Sequence, residues 1–377
     1  MPTVKAPYNF VPLPQHVFFP KWADRISQDI PFAEGISGTI TLTVQAETPV
    51  FIRNGHAQGQ ITNSFSKTPD GTYFIPATSI KGCLRNVLEI MSFCKMMPIT
   101  GKKGKFKTSP LDWETKRVAY SATKQNVPID HLDLAECIFG TVKGDKALKG
   151  RVQFTNLLCT KPVRMPNEYK SLIYVLNGPN PDCLPMYVPG KEDYDHSKLK
   201  PHQFLNGWKR YVLKNAPNYS ERKNTESRTT STFCPLNTGS EFKGKVFFHN
   251  LLPQELGALL CAITWGNHRM NCYHQIGLAK PYGFGRISIA VDWKSDDVST
   301  YVDAFIKTMN DWLKSPLINE EKWDETLTVS ELFILASHVA RFNDTQFKYM
   351  RSNEIRDCKN HGDSLEMLGY ILENKEE

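Results

Sequence analysis

The stretch FIPATSIKGCLRNVLEIM, residues 74–91, constrains the fold more than any other in this 377-residue chain. A short β-type run, Phe74 and Ile75, meets a proline and gives way to apolar residues at helical spacing. Ile80, Leu84, Val87, Leu88 and Met91 fall on one helix face. A strand therefore feeds straight into an amphipathic helix, with Thr78 or Ser79 expected to cap it. Lys81 and Gly82 are expected in its first turn, where unpaired N–H groups and the helix dipole attract anions. Gly82 removes the side chain that would hold a phosphate off the backbone, and Lys81 adds a full charge. An ordinary helix start with a solvated lysine is the competing reading.

The neighbouring segments supply a sheet for this helix. In SGTITLTVQAETPVFI, Ile40, Leu42 and Val44 alternate with polar residues, as in a half-buried strand. GRVQFTNLL (150–158) and EFKGKVFFHN read as further strands. LPQELGALLCAITWG reads as a helix, with Pro253 in its first turn and Gly266 just past its end. HQIGLAKPYGFGRISIAV is a glycine-rich loop running into a strand. The order strand, helix, strand, strand, helix, strand is the split βαβ of an α+β, ferredoxin-like fold, the architecture of an RNA-recognition motif.

Around that core the chain divides into an N-terminal arm (1–37), rich in proline and aromatics and expected on the surface, a core over 38–295, and a helical C-terminal extension (296–377). The core carries insertions at about 94–132 and 160–240. The extension opens on an apolar stripe: Val298, Tyr301, Val302, Phe305, Ile306, Met309, Trp312 and Leu313.

Hydrophobic residues make up 40% of the chain, enough for a sizeable core, and no run is long enough to cross a bilayer. The N-terminus has no apolar signal core, so a cytoplasmic protein is expected. Nine cysteines stand singly without a CxxC, as expected for free thiols in a reducing compartment. The densest group, Cys261, His268, Cys272 and His274, lacks zinc-finger spacing, and no metal site is expected. Net charge is +7, which permits a polyanionic partner without requiring one. GKKGKFK (101–107), KRVAYSATK (116–124), WKRYVLK (208–214) and SERKNTESR (220–228) concentrate it, although each alone reads as a solvated loop.

Two loops complete the candidate sites. GLAKPYGFGR (277–286) surrounds Lys280, Tyr282, Phe284 and Arg286 with Gly277, Gly283 and Gly285. It precedes a strand and lacks the GK[ST] ending of a Walker loop, which disfavours nucleotide triphosphates. Cations, aromatics and bare backbone suit a sugar-phosphate chain with stacked bases; a tight structural turn is the alternative. The segment 53–67, with Arg53, Asn54 and His56, reads as a flexible loop without an acidic residue. His56 and Asp70 are the weak catalytic candidates, and no nucleophile or metal-hydrolase motif accompanies them.

Taken in order, TPVFIRNG, DGTYFIPATSIKGCLRNVLE, AECIFG, GRVQFTNLL, GKVFFHNLLPQELGALLCAI and HQIGLAKPYGFGRISI resemble the RAMP superfamily of CRISPR-associated proteins. They look most like the backbone-type subunits of type III effector complexes, and PYNFVPLP and DIPFAEGISGTI strengthen the match. The likeness spans roughly residues 8 to 292, and it is the IPATSIKGxLR segment together with a late GxxKxxGxG loop that makes it specific. The resemblance implies a modified RNA-recognition-motif fold lining a CRISPR RNA, which itself reads target RNA by pairing. By position, Lys81, Gly82 and Arg85 match the part of the first helix that meets guide RNA, with Ser79 beside them a further RNA-binding candidate, and Gly283 and Gly285 match the family's glycine loop.

Cleaving members carry an aspartate in the loop before IPxxSxKG, and this chain has none there. The expectation is therefore a non-cleaving structural subunit in antiviral defence. Its partners would be CRISPR RNA, complementary target RNA and other effector subunits, with no membrane, no small-molecule substrate and no cofactor. Two alternatives stand beside it: a Mg-dependent endoribonuclease cutting target or precursor guide RNA, and a protein-interaction scaffold without RNA contact.

Overall fold

The computed structural model describes residues 3–57, 60–61, 63–96, 119–120, 126–127, 131–143, 146–176, 206–268, 271–293, 298–316, 318, 322–337 and 347–350, with scattered positions between 353 and 371. The basic run 101–107, most of 116–124, the middle of the second insertion and the side chain of His56 lie outside the described residues.

In chain order the main elements are β1 (Tyr8–Val11), β2 (Ile36–Ala46), β3 (Phe74–Ile75), α1 (Ala77–Met91), α2 (Leu134–Phe139), β4 (Val152–Phe154) and β5 (Leu157–Lys161). Then come β6 (Leu172–Val175), β7 (Trp208–Tyr211), β8 (Thr230–Phe233), β9 (Glu241–Leu251), α3 (Pro253–His268), β10 (His274–Gln275) and β11 (Arg286–Asp292). The chain closes on α4 (Val298–Leu313) and α5 (Leu327–Ala336).

The central sheet runs β10-β11-β2-β9-β5-β3, with β4 also paired to β9. Every one of these pairs is antiparallel. Strands β11, β2, β9 and β5, with α1 and α3 as crossovers, give the ferredoxin-like order expected from the sequence. On β2, Ile40, Leu42, Val44 and Ala46 are fully buried while Thr39 and Gln45 are exposed, so the period-2 pattern sets the inner face. The α1 stripe (Ile80, Leu84, Val87, Leu88, Met91) is buried against that face.

Several local expectations change. Helix α1 begins at Ala77, so Lys81 and Gly82 stand in its second turn, not its first. Neither Thr78 nor Ser79 caps it. Pro76 holds the cap position, and the Asn156 side chain accepts from the Ala77 N–H at 2.9 Å. Asn156 is free to do so because the expected strand 150–158 breaks into β4 and β5 at 155–156. The segment 53–67 is a bridged hairpin, pairing Arg53 with Phe65 and His56 with Ile61. Phe65 pins it by packing on Phe51, Tyr73 and Phe242.

The N-terminal arm enters the core. Phe10, Val11 and Phe18 are buried, and β1 pairs with β7 along Tyr8–Val11. Helix α4 packs on α3, where a Cβ on Gly257 would lie 1.8 Å from the Tyr301 carbonyl oxygen, so only glycine admits this approach. Val302, Phe305, Met309 and Leu313 join the same core as the sheet, so the C-terminal helices are continuous with it. Among the described residues no helix is long and apolar enough to cross a membrane.

Candidate nucleic-acid interface

Helical geometry gives α1 one outer ridge. Thr78 and Gly82 are exposed along it, with Ser79 and Asn86 half-buried beside them. A Cβ at Gly82 would meet nothing within 4 Å, so packing inside the chain does not require glycine there. Glycine inside a helix costs roughly 0.5–1 kcal/mol relative to alanine. The bare ridge therefore costs stability and leaves helix backbone open to an approaching chain.

One flank of the ridge is structural. Lys81 donates to the Phe139 carbonyl at 3.4 Å, and Arg85 to the Gly140 carbonyl at 3.0 Å and to Glu89 at 2.8 Å. Burial, then the charge of Arg85, lower the Lys81 pKa below the ordinary lysine value. Both cations thus fasten α1 to α2 while keeping part of their surface at solvent.

The opposite flank is the stronger candidate. Arg210, on β7, donates to the Asn86 side chain at 2.9 Å. Lys280 lies with its ammonium 6.0 Å from the centroid of the Tyr211 ring. Between them Cys83 contacts the Gln275 carbonyl at 3.8 Å, and the Gln275 amide donates to the Lys280 carbonyl at 3.3 Å. Burial lowers the pKa of both Arg210 and Lys280, and for Lys280 the nearby charge of Arg210 adds to it. Among the described residues neither cation has a carboxylate partner. Two like charges held together in shielded surroundings are an unfavourable arrangement that an anion would relieve. On the same strand the Lys209 ammonium lies 3.6 Å over the Tyr8 ring, and burial lowers its pKa to about 8.

The glycine loop itself is not an open cradle. A Cβ on Gly277, Gly283 or Gly285 would lie 2.3, 2.6 or 1.9 Å from the carbonyl oxygens of Phe51, Ala216 and Ile276. All three glycines have positive φ, at 82°, 89° and 79°. They accommodate the chain's own backbone. Tyr282 and Phe284, expected to stack on bases, pack against the chain's own rings. Tyr282 is 3% exposed, donates to the Val175 carbonyl at 3.0 Å and stacks on Tyr349, 5.0 Å between centroids. Phe284 is fully buried among Tyr174, Tyr219 and Phe233. The paired strands β6 and β8 of the second insertion bring Tyr174 and Phe233 over the loop, and Tyr219 comes from the chain between them.

Arg286 is also drawn inward: its guanidinium donates to the Lys214 carbonyl at 3.2 Å and sits 5.2 Å from the Tyr273 ring. Of the loop's expected contact residues, Lys280 reaches the seam with α1.

At the root of the hairpin Arg53 is half-buried and Asn54 exposed. They adjoin the glycine loop, because Leu278 donates to the Phe51 carbonyl at 3.0 Å. Asp70 is exposed and held in its own turn by the Thr68 and Thr72 hydroxyls, the latter at 2.8 Å; those bonds lower its pKa. Of the cysteine–histidine group, the side chain of His268 lies outside the described residues, and the other three make separate contacts. Cys261 meets Met91 Sδ, Cys272 meets the Phe333 carbonyl, and His274 contacts the Ile263 carbonyl at 3.0 Å. Burial lowers the His274 pKa to about 4, so its ring is neutral near pH 7.

Comparison with known proteins fits this architecture. The RAMP superfamily matches residues 43–288, more than half of the chain, and the protein belongs to that superfamily. No curated protein matches it. A solved structure described as "Type IV-B CRISPR Complex" is 11% identical, covering 70% of this chain and 96% of that one, with a TM-score of 0.30. A likeness that slight carries no argument about function.

Proposed function

We propose that this protein is a guide-RNA-binding, non-cleaving structural subunit of a type III CRISPR effector complex. The guide's phosphates would pass along the α1 ridge at Gly82 and rest on Arg210 and Lys280. The observation that carries this reading is that pair of shielded cations, without a carboxylate partner among the described residues, set beside a helix glycine whose added Cβ would meet nothing within 4 Å. Arg53, Asn54, Ser79 and the solvent-facing parts of Lys81 and Arg85 extend the same surface, and the exposed Lys161, Lys170 and Lys223 of the second insertion would add contacts that ignore sequence. Sequence would be read by the guide, not by the protein.

Membership of the RAMP superfamily supports the reading. The endoribonuclease alternative draws no support from Asp70, whose carboxylate is engaged by its own turn.

Titration of a labelled guide-length RNA into the full chain tests the proposal, with Arg210→Ala/Lys280→Ala as the comparison and target RNA and Mg²⁺ added in a parallel cleavage assay. Binding that weakens strongly in the variant, with no cutting, supports it. Undiminished binding by the variant, or Mg²⁺-dependent cutting of target by the wild type, would falsify it.

A further inference from the structure

On the face of the central sheet turned away from α1 and α3, Thr39, Gln45, Gln153 and Leu158 are exposed and Thr41 and Thr43 half-buried. On β9, Lys243, Lys245 and Phe247 point outward in succession, while Phe242, Val246 and Phe248 point into the core. Side chains two apart on a strand stand about 6.6–6.8 Å apart, so the three form a line. Phe247 keeps 43% of its surface at solvent and Leu158, opposite Lys243 on β5, keeps 46%. The register sets Gln153 and Thr39 on either side of Phe247. The acid on this strand is Glu241 at its start, which pairs with Lys243 at 3.4 Å in an exposed contact worth little.

We propose that this face is a second contact for single-stranded RNA, where a base stacks on Phe247 and Lys245 and Lys243 hold the phosphates that follow. A large aromatic left at solvent in the middle of a sheet costs solubility unless something covers it. Two occupants suit an exposed aromatic, and the surroundings choose between them. The centres of protein interfaces are depleted in lysine. A ring in line with lysines and flanked by a threonine and a glutamine matches instead the sequence-tolerant platforms that bind unpaired nucleic acid. The face lies across the sheet from the α1 seam, so it would engage a strand other than the guide segment held there, or the same RNA further along.

The test uses the full chain and a labelled oligouridylate. Phe247→Ala should weaken binding about tenfold, the usual loss for one stacked base, and Phe247→Trp should restore it. In the Arg210→Ala/Lys280→Ala background a residual affinity should remain and should disappear when Phe247→Ala is added. Ultraviolet crosslinking of the wild type should leave a uridine adduct on the peptide containing Phe247. Unchanged affinity in Phe247→Ala with no adduct on that peptide overturns the proposal. So does loss of co-assembly with another subunit while RNA affinity is kept, since that assigns the face to protein. Neither result bears on the α1 seam, which its own variants test.

Discussion

Arg210 reaches from β7 to Asn86 on α1 across a 2.9 Å hydrogen bond, tying the WKRY strand to the helix that carries the bare glycine. β7 is in turn held by β1, which pairs Arg210 with Asn9 and Tyr211 with Tyr8. The N-terminal segment therefore builds one wall of the candidate interface.

Removing either cation of the seam should separate binding from folding. Arg210→Ala and Lys280→Ala are each expected to weaken RNA binding and to lower the slope of log affinity against log salt by about one. Because each relieves repulsion from the other, Lys280→Met should leave the melting temperature of the free chain unchanged or higher. A large fall in melting temperature with the salt slope intact contradicts the assignment.

Lys209 predicts a pH dependence. Its pKa is lowered to about 8 in the folded chain by burial, against about 10.4 in an unfolded one. Between these values the unfolded chain binds the extra proton, so this group's contribution makes stability rise with pH over that window and leaves it flat below pH 8. The melting-temperature difference between wild type and Lys209→Gln, followed from pH 7 to 10, should shift in favour of the wild type. A flat difference contradicts a shielded Lys209.

The buried loop makes a contrasting prediction. Tyr282→Phe removes the donor to the Val175 carbonyl and should cost about 1 kcal/mol of stability, with RNA affinity unchanged. Gly285→Ala, with φ at 79° and the Ile276 carbonyl oxygen 1.9 Å from the new Cβ, should cost more than about 1 kcal/mol. Denaturant unfolding measures both. A loss of RNA affinity in Tyr282→Phe without loss of stability restores the base-stacking role.

The fold was legible because it rests on periodicity. Ile40, Leu42 and Val44 on β2 and Ile80, Leu84 and Val87 on α1 announce which face is buried, and the order of elements does the rest. What escaped were relations between distant segments. The α1 cap comes from Asn156, far along the chain, so Thr78 and Ser79 looked like better candidates. The glycine loop looked like a phosphate cradle because nothing in its own sequence shows that Tyr174 and Phe233 cover it. Arg210 lies in a basic run that reads as solvated; Trp208 and Tyr211, bracketing Lys209 and Arg210, are the available sign that the run is partly covered.

The most direct measurement is the pair of melting temperature and guide-RNA affinity for Gly82→Ala. An alanine there meets no atom within 4 Å in the free chain and improves helix propensity by roughly 0.5–1 kcal/mol. If a phosphate backbone passes over α1 at that point, the variant melts higher and binds guide-length RNA more weakly than wild type. If it melts higher and binds equally well or better, nothing rests on the ridge, and RNA does not cross this helix.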